Sequence, residues 1–256
     1  MIQSAQVTPD VEIGMTSGEL LMRILNRLGE IRTVTFIQFQ VGNSFADRVA
    51  GDRERPRLLI ASEAAGEPRE AWLPEHEILF AQRLAEGADI DKLIGSAIKH
   101  DKLQDNRIRF SFDRDQLSIR TLENLRAERP GWALAVSSSV LTSKGERFHL
   151  PLMDFQCPVS ERNLALTVGA LTSIGRTTGA VVESGRSYHY YGFDLLSLDA
   201  WHDFLGSCLL LSPIVDGRYI GHRLLDKECV LRLGPSQRKP QQPRVVHILG
   251  SANAPL

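Results

Sequence analysis

The sequence predicts an α+β fold in two modules, and three observations carry that prediction. Stretches rich in β-branched and aromatic residues alternate with stretches of helical apolar spacing along the 256 residues. In the second half they run strand, helix, strand, strand, helix, strand, the order of a split βαβ sheet with its helices on one face. A Pro130-Gly131 break separates that half from the first. The boundary is therefore set between an N-terminal α/β module, 1–130, and a second module, 131–256, packed as one compact unit large enough to bury a sizeable core.

The first helix opens at Thr16, whose spacing to Glu19 is that of a capping box, and carries Leu21, Ile24, Leu25 and Leu28 at helical intervals. Residues 32–41 (Thr33, Val34, Thr35, Phe36, Ile37, Phe39, Val41) read as a strand, followed by a charged loop over 51–56 and a return strand over 57–61. Residues 74–87 and 89–100 read as two short helices, the second with Ile90, Leu93, Ile94 and Ile98 on one side. A strand over 107–112 follows. Asp113 and Gln116 are candidate caps for a helix running to about Glu128, and 132–138 reads as a central strand.

In the second module, 148–155 is a strand, Ser160 starts a helix carrying Leu164, Val168 and Leu171, and 179–183 and 189–193 are strands joined through Ser184-Gly185-Arg186. Leu198, Trp201, Leu205 and Leu209 supply the stripe of the second helix, and 230–233 with 245–249 complete an RRM-like sheet. No repeat or low-complexity stretch interrupts this order, and 235–243 is a polar, proline-bearing loop.

The formal charge of −1 hides an uneven distribution: residues 217–247 hold seven Lys or Arg against only Asp226 and Glu228, as anion-binding surfaces often do. Three widely spaced cysteines, Cys157, Cys208 and Cys229, form no Cys-x-x-Cys pair, so neither a disulfide framework nor a zinc module is expected and a reducing cytoplasm fits. Without an apolar stretch of about 18 residues or a basic-then-apolar leader, no membrane association or export is expected.

Candidate chemistry concentrates at three places. Asp154 ends a strand of apolar residues, so its carboxylate emerges where hard oxygen ligands can gather magnesium or manganese. Asp216 follows Ile214-Val215 and can lie beside it; equally, Asp154 suits a cap for the helix at Ser160 and Asp216 a turn with Gly217. Ser187 and His189, two apart on a strand, share a face and can touch one phosphate, with Ser184-Gly185-Arg186 as an anion-binding turn. The same residues also read as a plain β-turn and a core histidine among Tyr188, Tyr190 and Tyr191. Arg223, Arg232 and Lys239 are candidate phosphate ligands, Arg232 lying opposite Leu231 and Leu233, or else a solvated basic face.

Met153-Asp154-Phe155-Gln156, Ser187-Tyr188-His189 and Val215-Asp216, in that order, resemble the hDhD, SxH and hD motifs of the archaeo-eukaryotic primase superfamily, where h is a hydrophobic residue. The stretch from Pro151 to Val246 is closer still to a bacterial primase-like group that shares runs such as Asp-Phe-x-Cys-Pro and Ser-Gly-Arg-Ser-Tyr-His and has a suspected place in mobile elements or phage defence. The resemblance covers about the last 125 residues and implies a primase-polymerase core. Asp154 and Asp216 would bind Mg or Mn, His189 would join them in catalysis, and Ser187, His189, Arg186, Arg223, Arg232 and Lys239 would hold nucleotide or nucleic-acid phosphate.

Gln156 departs from the pattern. A neutral amide stands where the first motif has its second acid, which weakens the two-metal arrangement used for nucleotidyl transfer. The expectation is a primase-like protein that binds a nucleoside triphosphate, DNA or RNA, with reduced or altered nucleotidyltransferase activity and possible reporting to a protein partner. An active primase-polymerase and an RRM-like interaction module without nucleotide are the alternatives.

Overall fold

A computed structural model of the chain describes residues 9–40, 87 and 107–250. Residues 1–39 with 108–256 group as one compact unit and 40–107 as another; every helix and strand among the described residues lies in the first. The features expected at 51–56, 57–61, 74–87 and 89–100 fall outside the described residues, Gly87 excepted. In chain order the elements are α1 (Ser17–Arg27), β1 (Ile31–Phe39), β2 (Ile108–Asp113), α2 (Ile119–Glu128), β3 (Ala133–Thr142), β4 (Arg147–His149), β5 (Leu152–Asp154), α3 (Glu161–Ser173), β6 (Gly179–Glu183), β7 (Tyr188–Gly192), α4 (Leu198–Leu209), α5 (Gly217–Asp226), β8 (Val230–Arg232) and β9 (Arg244–Leu249). The α+β class is as the sequence predicts.

The capping box forms: Thr16 Oγ1 accepts from the Glu19 amide at 3.2 Å and the Glu19 carboxylate accepts from the Thr16 amide at 2.8 Å. Leu20, Leu21, Ile24 and Leu25 of α1 are buried. The next helix starts later than expected. Residues 114–116 make a single 3₁₀ turn, and Ser118 caps α2 by accepting from the Thr121 amide at 3.1 Å.

The first sheet runs β2-β1-β3, all antiparallel, and joins strands from both sides of Pro130-Gly131. Two short strands share the far edge of β3, β4 beside residues 139–141 and β8 beside 135–137. Two expectations are corrected here. The strand expected over 148–155 is divided at Pro151, which lacks the amide a continuous ladder needs, so β4 stays in the first sheet and β5 enters the second. Residues 230–233 likewise pair with β3 rather than completing the second sheet.

The second sheet is antiparallel with order β5-β7-β6-β9. Numbered within this sheet, β5, β6 and β7 keep the 1-3-2 arrangement of a split βαβ unit, while the last strand lies on the β6 edge instead of beside β5. Alternation along β7 sorts its side chains. Tyr188 and Tyr190 point to the helices: the Tyr188 hydroxyl donates to the Ser160 carbonyl at 2.9 Å, and the Tyr190 ring lies 6.3 Å from that of Phe204 in α4. His189 and Tyr191 point to the other face, and that face carries the site.

Both helical stripes are rotated from the expected ones. In α3 the buried residues are Asn163, Thr167, Ala170 and Leu171, with Leu164 and Val168 only half-buried. Asn163 donates to the Pro158 carbonyl at 2.9 Å and Thr167 to the Asn163 carbonyl at 2.8 Å, so polar residues occupy the inner face with their groups satisfied. In α4 Trp201, Phe204, Leu205 and Cys208 are buried, while Leu198 and Leu209, at the two ends of the helix, are 47% and 45% exposed. Trp201 stacks on His149 at 4.3 Å.

Candidate functional site

Three local features bring the acidic and basic residues together. Asp154, the last residue of β5, pairs in register with His189 of β7, so both side chains leave the same face of the sheet. The chain then continues beside 214–215: the Phe155 amide donates to Tyr188, the Gln156 amide donates to the Ile214 carbonyl at 3.0 Å, and Phe155 bridges to Val215. This places Asp216 beside the end of β5. There Asp216 is the N-cap of α5, its Oδ1 accepting from the Arg218 amide at 2.8 Å, whereas Ser160, not Asp154, caps α3.

Asp154 Oδ1 is buried and accepts no hydrogen bond among the described residues; His189 Nε2 lies 3.5 Å away. Burial pushes the Asp154 carboxyl above the usual range and Asp216 pushes the same way, against Lys239, Arg232 and Arg223. His189 is 2% exposed, and burial, with Lys239 and Arg232, holds its imidazole well below the ordinary histidine value. A neutral imidazole offers one donor and one acceptor, and His189 Nδ1 has no partner among the described residues. Asp154 is thus subject to a second carboxylate and three cations, with buried polar atoms of Asp154 and His189 lacking hydrogen-bond partners among the described residues.

The cations differ in how they are held. Lys239 sits half-buried in a turn closed by Ser236, whose amide donates to the Lys239 carbonyl at 2.9 Å. Arg223 pairs with Asp226 at 3.1 Å and lies 5.2 Å over the Tyr219 ring. Arg232 is a clamp. Its guanidinium donates to the carbonyls of Ser184 at 2.6 Å, Gln241 at 2.9 Å, Lys239 at 3.4 Å and Gly234, tying the β6–β7 hairpin to the loop after β8 and leaving Nε buried without a partner.

The other expected contacts lie in the β6–β7 hairpin and just after β5. Ser187 lies 3.3 Å from the Ser184 hydroxyl inside the hairpin, and Arg186 is exposed at its tip. Gly185 has φ +106° with Gln241 packed where a Cβ would stand, so a positive-φ residue without a side chain is required there. The side chain of Gln156 donates to the Pro213 carbonyl, pinning the segment that carries Asp216. Tyr191 and Tyr219 also bear electrostatically on Asp154, and both hydroxyls are buried. Tyr191 was legible as the same-face neighbour of His189 two residues on; Tyr219 was not, since only the folded α5 brings it near.

Among the described residues no three His, Cys, Asp or Glu side chains gather as a metal site, and no helix is long and apolar enough to cross a membrane. Two carboxylates nevertheless suit magnesium or manganese, which proteins commonly hold through one or two acids with substrate phosphates and water completing the shell. Asp154 Oδ1, which accepts no hydrogen bond among the described residues, is the donor such an ion needs.

The family described as AEP-like, archaeo-eukaryotic primase 1D-like, matches residues 113–245, just over half the chain. No curated protein matches. Among solved structures, the AEP domain (PP-N190) of the Cyanophage S-2L Primase-Polymerase (PrimPol) is similar with a TM-score of 0.34 and 16% identity, over 56% of this chain and 75% of that one. The matched span contains Asp154, His189, Asp216 and Lys239, and the chain belongs to the archaeo-eukaryotic primase 1D-like family.

Proposed function

We propose that this primase-polymerase-like protein binds the triphosphate of a nucleotide, or a nucleic-acid phosphate, at the Asp154 face with one Mg or Mn ion, and has reduced or altered nucleotidyl transfer. The observation that carries the proposal is the buried Asp154 Oδ1, without a hydrogen-bond partner among the described residues, on a carboxyl that Asp216 and Lys239 both influence electrostatically. Asp154 and Asp216 would hold the ion, which when bound supplies charge neutralisation to the phosphates. Lys239 is the cation best placed for a phosphate oxygen, because Arg232 is committed to carbonyls and Arg223 is paired with Asp226. Neutral His189 would donate one hydrogen bond without adding charge. Arg186, at the exposed hairpin tip, and Ser187 would meet only the outer end of a longer ligand.

Full polymerase chemistry needs a second metal position, and the amide of Gln156 supplies no charge for it and is turned to Pro213. A mobile-element or phage-defence role and a cytoplasmic location are consistent with a small nucleotide-binding protein of this family. The test is calorimetric titration with ATP and dATP, with and without manganese, on the parent and on Asp154→Ala. Metal-dependent binding lost in the variant supports the proposal; equal binding by both removes Asp154 from the site.

A further inference from the structure

The outer side of α5 is apolar where a surface helix ordinarily carries charge. Its buried residues are Ile220 and Arg223, and away from them Gly217, Gly221, Leu224 and Leu225 recur at helical spacing. Leu225 is 74% exposed. Against this helix packs α4, which ends at Leu209 with Leu210 as its C-cap, 87% exposed. The glycines join these leucines into one strip. Leu209 Cδ1 lies 3.3 Å from where a Cβ on Gly217 would stand, whereas a Cβ on Gly221 would meet nothing within 4 Å. Gly221 is thus the floor of an open hollow between Leu209, at the start of α5, and Leu224, one turn further on.

This strip complements itself. Its projections, Leu224 and Leu225, and its hollow, at Gly217 and Gly221, lie on one helix in a fixed order. A two-fold axis near Gly221 runs the α5 helices of two copies antiparallel and sets the leucines of each over the glycines of the other. Without side chains at the glycines two helices can approach closely, and antiparallel helix dipoles attract. The four leucines leave apolar surface on the order of 400 Å² on each copy, a size at which a patch marks an interface. A two-fold contact covers that surface twice and, with its rim, reaches the roughly 1,000 Å² that a specific interface needs. A partner of different sequence would have to supply both shapes, whereas a second copy already has them.

We propose that the face made by α5 and the C-terminal end of α4 joins two copies of this chain in a symmetric dimer. The interface helix begins at its N-cap Asp216, so one helix carries a site acid at its start and the contact along its outer side. The dimer stands independently of the function proposed above. Sedimentation equilibrium of the full chain from low to high micromolar concentration tests it, on the parent, Leu225→Glu, Leu210→Glu, Gly221→Leu and Leu166→Glu, with circular dichroism spectra and the ATP titration recorded for each.

The parent should reach twice the 28.5 kDa of one chain. Leu225→Glu and Leu210→Glu should each raise the dimer dissociation constant about a hundredfold, because a two-fold contact buries each new charge twice. Both should keep the parent's spectrum, since these side chains are mostly exposed. Gly221→Leu adds apolar surface and helix propensity but fills the hollow, so it should weaken the dimer too. Leu166→Glu, at an exposed leucine of α3, should dimerise like the parent. The proposal is overturned if the parent is monomeric throughout, whether or not another protein binds this face. It is equally overturned if Leu225→Glu and Leu210→Glu dimerise like the parent, if Gly221→Leu associates more tightly, or if Leu166→Glu dissociates as they do. A dimer that binds no ATP keeps this interface and rejects the nucleotide site; ATP binding by a monomer does the reverse.

Discussion

Replacing Arg232 separates a clamp from a ligand. In Arg232→Met the carbonyls of Ser184, Gly234 and Gln241 lose their charged donor. Gln241 is exposed and can turn to water, whereas Ser184 and Gly234 are buried. Two buried carbonyls left without that donor cost about 1–3 kcal/mol each, partly offset because a buried guanidinium no longer has to be desolvated. A net loss of about 3 kcal/mol follows, and at roughly 2–4 °C per kcal/mol for a domain of this size the melting temperature should fall by about 6–12 °C. Arg232→Lys, with one ammonium in place of a fork, should fall between parent and Met variant. Circular dichroism melts with and without ATP and manganese measure this. A Met variant that melts like the parent but no longer binds nucleotide would refute the clamp and make Arg232 a phosphate ligand.

Asp154→Asn should melt higher than the parent at neutral pH, because burial and Asp216 disfavour the charged carboxylate. Its raised folded value means that the stabilising protonated form is fully present below the usual 3.8 and lost as pH rises through the folded value, so the advantage of the Asn variant opens upward from there and should close in acid; a lower melting temperature at neutral pH would contradict this. His149, 1% exposed, is held at about 4 by burial, with Arg147 and His202 acting the same way. Its neutral form stabilises the fold above 6.5, and that contribution is lost as pH falls from 6.5 to about 4, up to about 3 kcal/mol. Melts of His149→Gln should accordingly vary less over that window than those of the parent; parallel curves would show that His149 carries none of the acid sensitivity. Ser160→Ala removes the cap that accepts from Asn163 at 3.1 Å and should lower stability by about 1 kcal/mol in urea melts, while an unchanged midpoint would mean that water replaces the cap.

Local signals were legible where one segment decides its own conformation. The Thr16 box, the Ser160 cap and the strands at β1, β6 and β7 need only neighbouring residues. Partnership between distant segments was not. Nothing within Val230–Arg232 indicates that it pairs with β3 rather than joining β5, and the division at Pro151 depends on two sheets competing for one run of chain. The helical stripes slipped because Asn163 and Thr167 are buried through local hydrogen bonds that an apolar count ignores.

The site shows the same division. Alternation on β7 set the face of His189, and the order of the acids anticipated the pairing of 155–156 with 214–215. The commitment of Arg232 to four carbonyls could not be read from Val-Leu-Arg-Leu, which suits a phosphate ligand and a loop clamp alike. Lys239 acts on Asp154 more strongly than Arg232 or Arg223 does, and a polar loop sequence closed by the Ser236 turn does not announce it.

Anomalous diffraction from crystals grown with manganese and a non-hydrolysable nucleoside triphosphate tests the central claim most directly. The account predicts a manganese peak shared by the carboxylates of Asp154 and Asp216, with the triphosphate running toward Lys239. Manganese bound elsewhere, or a triphosphate seated away from all three residues, would contradict it.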